Sequence, residues 1–183
     1  MTYIDVPAGV PGIRSLFLFR PDTGKHLYAL AQELLRGDSP LTPAERELIA
    51  SYVSSLNQCM FCMSSHAAAA RELYDEQSSL VDCVLSDVEN APVSTKMKSL
   101  LQIAARVTKS GKSVTQNDID EARAQGAGDR EIHDTVLIAA TFCMYNRYVD
   151  GLASYTPSDP SEYKIMGQRL ANAGYQLPNQ KNS

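Results

Sequence analysis

Apolar positions along this chain recur at three- and four-residue intervals, and few stretches alternate apolar with polar residues. That pattern predicts helix after helix. Asp22 can cap a helix running to about Arg36, with Leu27, Leu30, Ala31, Leu34 and Leu35 on one face and Gly37 ending it. Thr42 followed three residues later by Glu45 is a capping box, with Pro43 at the first helical position, and this helix should end near Asn57. A further helix opens at Cys59 and runs through CMFCMSSHAAAARELY, rich in Ala, Met and Leu. Others are expected at about 77–87, 95–109, 115–125, 129–153 and 161–173, separated by Pro92 and Ser94, Gly111, Gly126 and Gly128, and Pro157 and Pro160; Thr115 with Asp118, and Asp129, supply caps. The Gly- and Pro-rich stretch up to Pro21 reads as an extended arm, and the polar tail after Gly174 as frayed. The fold class is all-α, a helical bundle with short loops and an extended N-terminal arm. No linker, repeat or low-complexity block appears, so residues 1–183 read as one domain, with a core over about 22–155 and a C-terminal helix and tail over 156–183.

Composition narrows the function. The chain has 183 residues, of which 44% are hydrophobic and 21% charged, an ordinary globular balance that needs no disulfide staples. With 17 Lys+Arg against 21 Asp+Glu its formal charge is −4, and no basic block is present. Nucleic acid and anionic membrane surfaces are therefore poor partners. The longest apolar run, Val136–Tyr145 with Thr141 inside it, falls far short of the roughly 20 residues that span a bilayer. The first residues lack a basic segment followed by an apolar stretch, so no signal peptide is read and a cytoplasmic location is expected. In a reducing compartment, four cysteines of which two form a CxxC suggest redox chemistry or a metal.

The informative segment runs from Glu47 to His66: E-x11-C-x2-C-x3-H. On a helix the Cα atoms of Cys59 and Cys62 lie about 5 Å apart, within the range a disulfide needs. Both fall in the expected first turn, where unpaired N–H groups and the helix dipole stabilise a thiolate. His66 lies four residues after Cys62, one turn along the same face, where an imidazole can take the thiol proton. If the two helices form a tight antiparallel hairpin turning near Asn57, Glu47 comes level with His66. The order in space is then Glu47, His66, Cys62, Cys59: a base, a relay, a nucleophile and a resolving thiol. The dipole alone favours Cys59 as the nucleophile; the histidine spacing favours Cys62.

Blander readings exist for each residue. A CxxC can be two core cysteines, His66 a hydrogen-bonded core or surface histidine, and Glu47 a solvated residue beside Arg46. A structural zinc held by Cys59, Cys62, His66 and Glu47 is the sharper rival. Residues 59 and 66, however, lie about 10 Å apart along a helix axis, whereas zinc ligands sit about 2.0–2.3 Å from the metal. A thioredoxin-like site needs a strand before the motif, and no sheet is expected.

The stretch AERELIASYVSSLNQCMFCMSSH resembles the AhpD-like alkylhydroperoxidases of the carboxymuconolactone decarboxylase superfamily, through Glu47, Cys59, Cys62 and His66. The segments RPDTGKHL, LLRGDSPLTPAERELIA and FCMYNRYVDGL are similar to its peroxidase-related subgroup, so the likeness covers roughly residues 3–155. It implies an all-helical fold, a homo-oligomer built from dimers or trimers (up to a hexamer), and reduction of small hydroperoxides by the CxxC pair. By the match Cys62 is peroxidatic, Cys59 resolves, and Glu47 with His66 relays the proton. It implies no bound cofactor and no metal, only an external dithiol or lipoyl-type reductant such as dihydrolipoamide. The best-known members carry a second histidine beside the second cysteine; here that position is Phe61. A general disulfide reductase, or a redox-sensing protein using the same CxxC, remains the alternative function. Elsewhere, Arg147 and Asp150 are expected to form an ion pair near Asn146, Met60 and Met63 to pack or wall a pocket, Cys83 and Cys143 to be buried, and His26 and His133 to lack an evident partner.

Overall fold

The structure, a computed structural model, describes residues 2–175. Among these residues it contains nine α-helices and no strand: α1 (Ile13–Phe19), α2 (Pro21–Arg36), α3 (Pro43–Leu56), α4 (Met60–Tyr74), α5 (Ser79–Ser86), α6 (Thr95–Lys109), α7 (Gln116–Ala124), α8 (Asp129–Gly151) and α9 (Pro160–Ala173). The all-α expectation holds, as do the capping boxes of Thr42 with Glu45 and of Thr115 with Asp118. No helix among the described residues is long and apolar enough to cross a membrane.

Several local expectations are corrected. The arm is extended only to Gly12, because the apolar cluster Leu16–Phe17 folds as α1 and buries itself. Arg20, not Asp22, precedes α2, since Pro21 already occupies its first position. Gly128 precedes α8, and the carboxylate of Glu131 accepts from its N–H at 2.7 Å; Asp129 instead pairs with Arg123. α5 begins at Ser79 because Asp75–Gln77 form a single 3₁₀ turn. The tail is not free from Gly174 onward, since Tyr175 is buried; residues 176–183 lie outside the described residues.

At the centre sits α3. Leu48, Ile49, Ala50 and Val53 are all fully buried, and its neighbours are α4, α6 and α8. A helix surrounded on most sides cannot show a clean amphipathic stripe. α3 and α4 form the closest-packed pair, reversing over residues 57–59, with Gln58 in the left-handed region at φ 60°. The reversal is stitched by the N–H groups of Asn57 and Cys59 donating to the carbonyls of Val53 and Ser54. On the other side of α4 lies α9. Gly167 permits the approach: a Cβ there would stand 2.6 Å from the carbonyl carbon of Ala68.

Candidate functional site

The tight reversal after α3 has one consequence for chemistry. It sets α3 and α4 antiparallel with Glu47 opposite His66, and the two side chains meet, Nδ1 of His66 lying 2.7 Å from Oε2 of Glu47. Neither is a surface residue: the Glu47 side chain is 0% exposed and that of His66 11%. The reading of Glu47 as a solvated residue beside Arg46 is thereby overturned, and Arg46 is itself buried, donating to the carbonyls of Leu34 and Gly37 at the end of α2.

A buried carboxylate needs donors. Oε1 of Glu47 accepts from Nη2 of Arg36 at 2.6 Å and from the hydroxyl of Tyr175 at 2.7 Å, while Oε2 faces the imidazole. Burial alone would push the Glu47 carboxyl up, but His66, Arg36 and Tyr175 outweigh it and hold it below the usual carboxylate range. An ionised Glu47 places the imidazole proton on Nδ1, which leaves Nε2 as the unprotonated base. Phe142 packs edge-on against the ring, with centroids 4.6 Å apart, and fixes its plane.

The cysteines occupy the start of α4. Cys62 lies in its first turn, as expected, whereas Cys59 is the residue before it, in extended conformation. The two sulfurs are close but not bonded, and both residues are buried. The adjacent Cys62 sulfur and burial push the Cys59 thiol up, while the backbone N–H of Cys62 draws it down. The helix-start field reaches both sulfurs, Cys59 just before the helix and Cys62 in its first turn. The hydrogen bonds of the imidazole go to Glu47 and Tyr175, and none reaches a sulfur. Ile13, Phe61, Val149, Tyr163 and Met166 close over the sulfurs. Phe61, the position of the extra histidine in the resemblance, packs against the backbone of Gly12, where a Cβ would fall 2.0 Å from its ring.

Two spaces flank this centre. A cavity of about 60 Å³ beside His66 is walled by Phe61, Phe142, Met166 and Tyr175, among others. A groove of about 600 Å³ runs along α4 past Met60, Met63 and Tyr163. Among the described residues no three His, Cys, Asp or Glu side chains come together as a metal site would require.

The model of the carboxymuconolactone decarboxylase family matches residues 21–82, a span that contains all four of these residues. Two solved structures share the fold over nearly their whole length. An uncharacterized peroxidase-related protein from Silicibacter sp. TM1040 is 27% identical, with a TM-score of 0.78 over 89% of this chain and 94% of its own. A peroxidase-related protein from Ralstonia eutropha JMP134, described as an alkylhydroperoxidase AhpD core, is 26% identical, with a TM-score of 0.79 over 91% of this chain and 96% of its own. The chain is thus similar, in sequence over residues 21–82 and in fold over nearly its whole length, to AhpD-like proteins of the carboxymuconolactone decarboxylase superfamily. An Agrobacterium tumefaciens protein of unknown function, 21% identical, shares the fold with a TM-score of 0.68 over 87% of this chain and 100% of its own. No curated protein matches the chain.

Within this AhpD-like frame, two residues of the cluster lie outside the motif that the sequence points to. Arg36 marks the end of a helix in the sequence; in the fold it also donates to the carbonyl of Leu170, tying α2 to α9. Tyr175 falls in the expected frayed tail, although a large apolar residue just after a helix-ending glycine commonly packs back on its helix, and that signal points to its burial. Other expectations fail. Arg147 donates to the carbonyl of Cys143 and forms no pair with Asp150. Cys83 is exposed and Cys143 only half-buried. His133 does have a partner, Asp134, at 2.9 Å. Asn146, fully inside, bridges Asn57 and Ser54 and so braces the α3–α4 reversal from α8.

Proposed function

We propose that this protein is a thiol-dependent reductase of small hydroperoxides, with Cys62 as the attacking thiolate, Cys59 as the resolving thiol, and Glu47 and His66 as the proton relay. The buried Glu47–His66 pair one helical turn from a cysteine at a helix start carries this reading. His66 takes the Cys62 proton through one water, and Glu47 stabilises the imidazolium. The thiolate attacks the terminal oxygen of the hydroperoxide, the O–O bond breaks, and the leaving alkoxide takes the proton back as alcohol. Cys62 is now a sulfenic acid. The Cys59 thiol attacks its sulfur, releasing water and closing the disulfide. An external dithiol, dihydrolipoamide or a lipoyl-type group, reopens it by exchange and is itself oxidised.

Burial of both cysteines supports a small substrate over a protein disulfide, because a folded partner could not bring its sulfur to either one. The homologous structures described as peroxidase-related support the same chemistry. Trapping of sulfenic acid with dimedone after one equivalent of cumene hydroperoxide tests the roles. The adduct should form in Cys59→Ser and be lost in Cys62→Ser. An adduct retained in Cys62→Ser but lost in Cys59→Ser would exchange the two roles, and none in either variant would remove the peroxidase reading.

A further inference from the structure

Tyr175 is the unexplained part of the buried cluster. It follows Gly174, which ends α9 at φ 63°, and its N–H donates to Oε1 of Gln32 on α2 at 2.7 Å. This backbone hook turns the side chain inward. The hydroxyl then lies 2.7 Å from Oε1 of Glu47 and 3.1 Å from Nδ1 of His66. The ring lies nearly parallel to the imidazole, with an interplanar angle of 11°, and beneath the Arg36 guanidinium, 5.3 Å from its centroid. Packing alone does not call for a hydroxyl between the two members of an acid–base pair.

We propose that Tyr175 is a positioning residue of the relay, its hydroxyl holding the Glu47 carboxylate and the His66 ring in the one arrangement that leaves Nε2 of the imidazole as the free base. The inference rests on the relay proposed above. Glu47 ionised has two oxygens and three donors around it: Arg36 and Tyr175 on Oε1, and the Nδ1–H of His66 on Oε2. With Oε1 doubly occupied, Oε2 is left for the imidazole. Tyr175 is always a donor here, because burial, then the Glu47 charge, keeps its phenol neutral well above its ordinary range. Removing the hydroxyl takes one donor from the carboxylate and raises the proton affinity of the Glu47–His66 pair. The free base then appears at higher pH. The other ionisable groups facing this cluster are Arg14 on α1, Tyr28 on α2, Arg46 on α3, Tyr145 on α8 and Arg169 on α9, and none stands between the two members of the pair.

Tyr175→Phe is the test, since it keeps the ring, the stacking on His66 and the Arg36 contact. The readout is thiolate absorbance at 240 nm against pH, recorded in a Cys59→Ser background so that Cys62 is followed without any peroxide. The midpoint should fall by about 0.5–1 pH unit, because a more basic acceptor draws the thiol proton more readily; the shift is the equivalent of one hydrogen bond of about 1 kcal/mol. The acidic limb of peroxide turnover should move by the same amount. Tyr175→Leu, which removes the ring as well, serves as the packing control and should lower thermal stability more than Tyr175→Phe does. A Tyr175→Phe midpoint equal to that of the parent would overturn the proposal whether or not the protein turns over peroxide. A shifted midpoint in a protein without peroxidase activity would keep the positioning role and sink only the peroxidase reading. If Tyr175→Phe does not fold, Gln32→Ala releases the backbone hook instead, and an unshifted midpoint there overturns the proposal equally.

Discussion

The molecule builds the same four-part cluster twice. At one end of the comparison stand Glu47, His66, Arg36 and the hydroxyl of Tyr175; at the other, Asp134, His133, Arg130 and the hydroxyl of Ser39. In each a carboxylate faces Nδ1 of a histidine, at 2.7 Å and 2.9 Å, and accepts from an arginine and from a hydroxyl. The parts agree; the surroundings do not. The His133 side chain is 65% exposed and that of His66 11%. His133 is the sequence neighbour of its acid, so water screens their interaction and the geometry is local. His66 reaches its acid across two helices and has a cysteine one turn away. A constellation of residue types therefore does not define a relay; burial, and a nucleophile within a turn, do.

Substitution of the acids should break the comparison most strongly. Glu47→Gln leaves the Arg36 and His66 side chains buried without their counter-charge, and should cost about 3–5 kcal/mol in urea unfolding. It should also lower peroxide turnover by about 10²–10⁴-fold. Asp134→Asn leaves the exposed Arg130 and His133 side chains free to turn to water, and should cost about 1 kcal/mol with turnover unchanged. Equal costs at the two sites, measured side by side, would mean that burial does not separate them.

Next in size is the packing that covers the sulfurs. Gly167→Ala places a Cβ within 2.6–2.8 Å of the backbone and Cβ of Ala68, groups that no rotamer change can move aside. It should cost about 1–3 kcal/mol and speed alkylation of Cys62, because α9 must lift from α4. Gly151→Ala, where a Cβ would meet open space, should leave alkylation unchanged.

A smaller effect separates the clusters by pH. Glu47 is held below its ordinary value of 4.5. A depressed carboxylate contributes stability that is complete above the unfolded value and lost as pH falls through the folded one. Unfolding free energy should therefore decline from about pH 4.5 downward, and the decline should be shallower in Glu47→Gln. Asp134 is also depressed, with burial opposed by Ser39, His133 and Arg130, and contributes a second step starting nearer its ordinary 3.8. The smallest change is expected for His133→Ala, within about 0.5 kcal/mol and with no loss of turnover.

The two clusters also differ in how far the sequence alone reveals them. The Glu47–His66 contact is legible because a capping box at Thr42 and a turn at Asn57 fix the length of both arms of one hairpin, so counting residues suffices. The helix over 95–109 is legible because Ser94 caps it and its buried face repeats cleanly. Arg36 and Tyr175 are not, because they reach Glu47 from helices distant in sequence, and counting along one hairpin says nothing of what packs over it. The Arg147–Asp150 pair fails for a related reason: i, i+3 spacing permits a contact, but an exposed arginine gains as much from a nearby helix carbonyl. α1 is hidden because glycines and prolines around it mask a short apolar run whose partner, α2, supplies the helix with its reason to form.

Steady-state consumption of cumene hydroperoxide with dihydrolipoamide as the electron donor, run with the parent protein beside Cys62→Ser and His133→Ala, tests the central claim most directly. Continuous turnover by the parent and by His133→Ala, with none by Cys62→Ser, is the predicted result. Turnover that survives in Cys62→Ser, or that stops after a single equivalent in the parent protein, would contradict it.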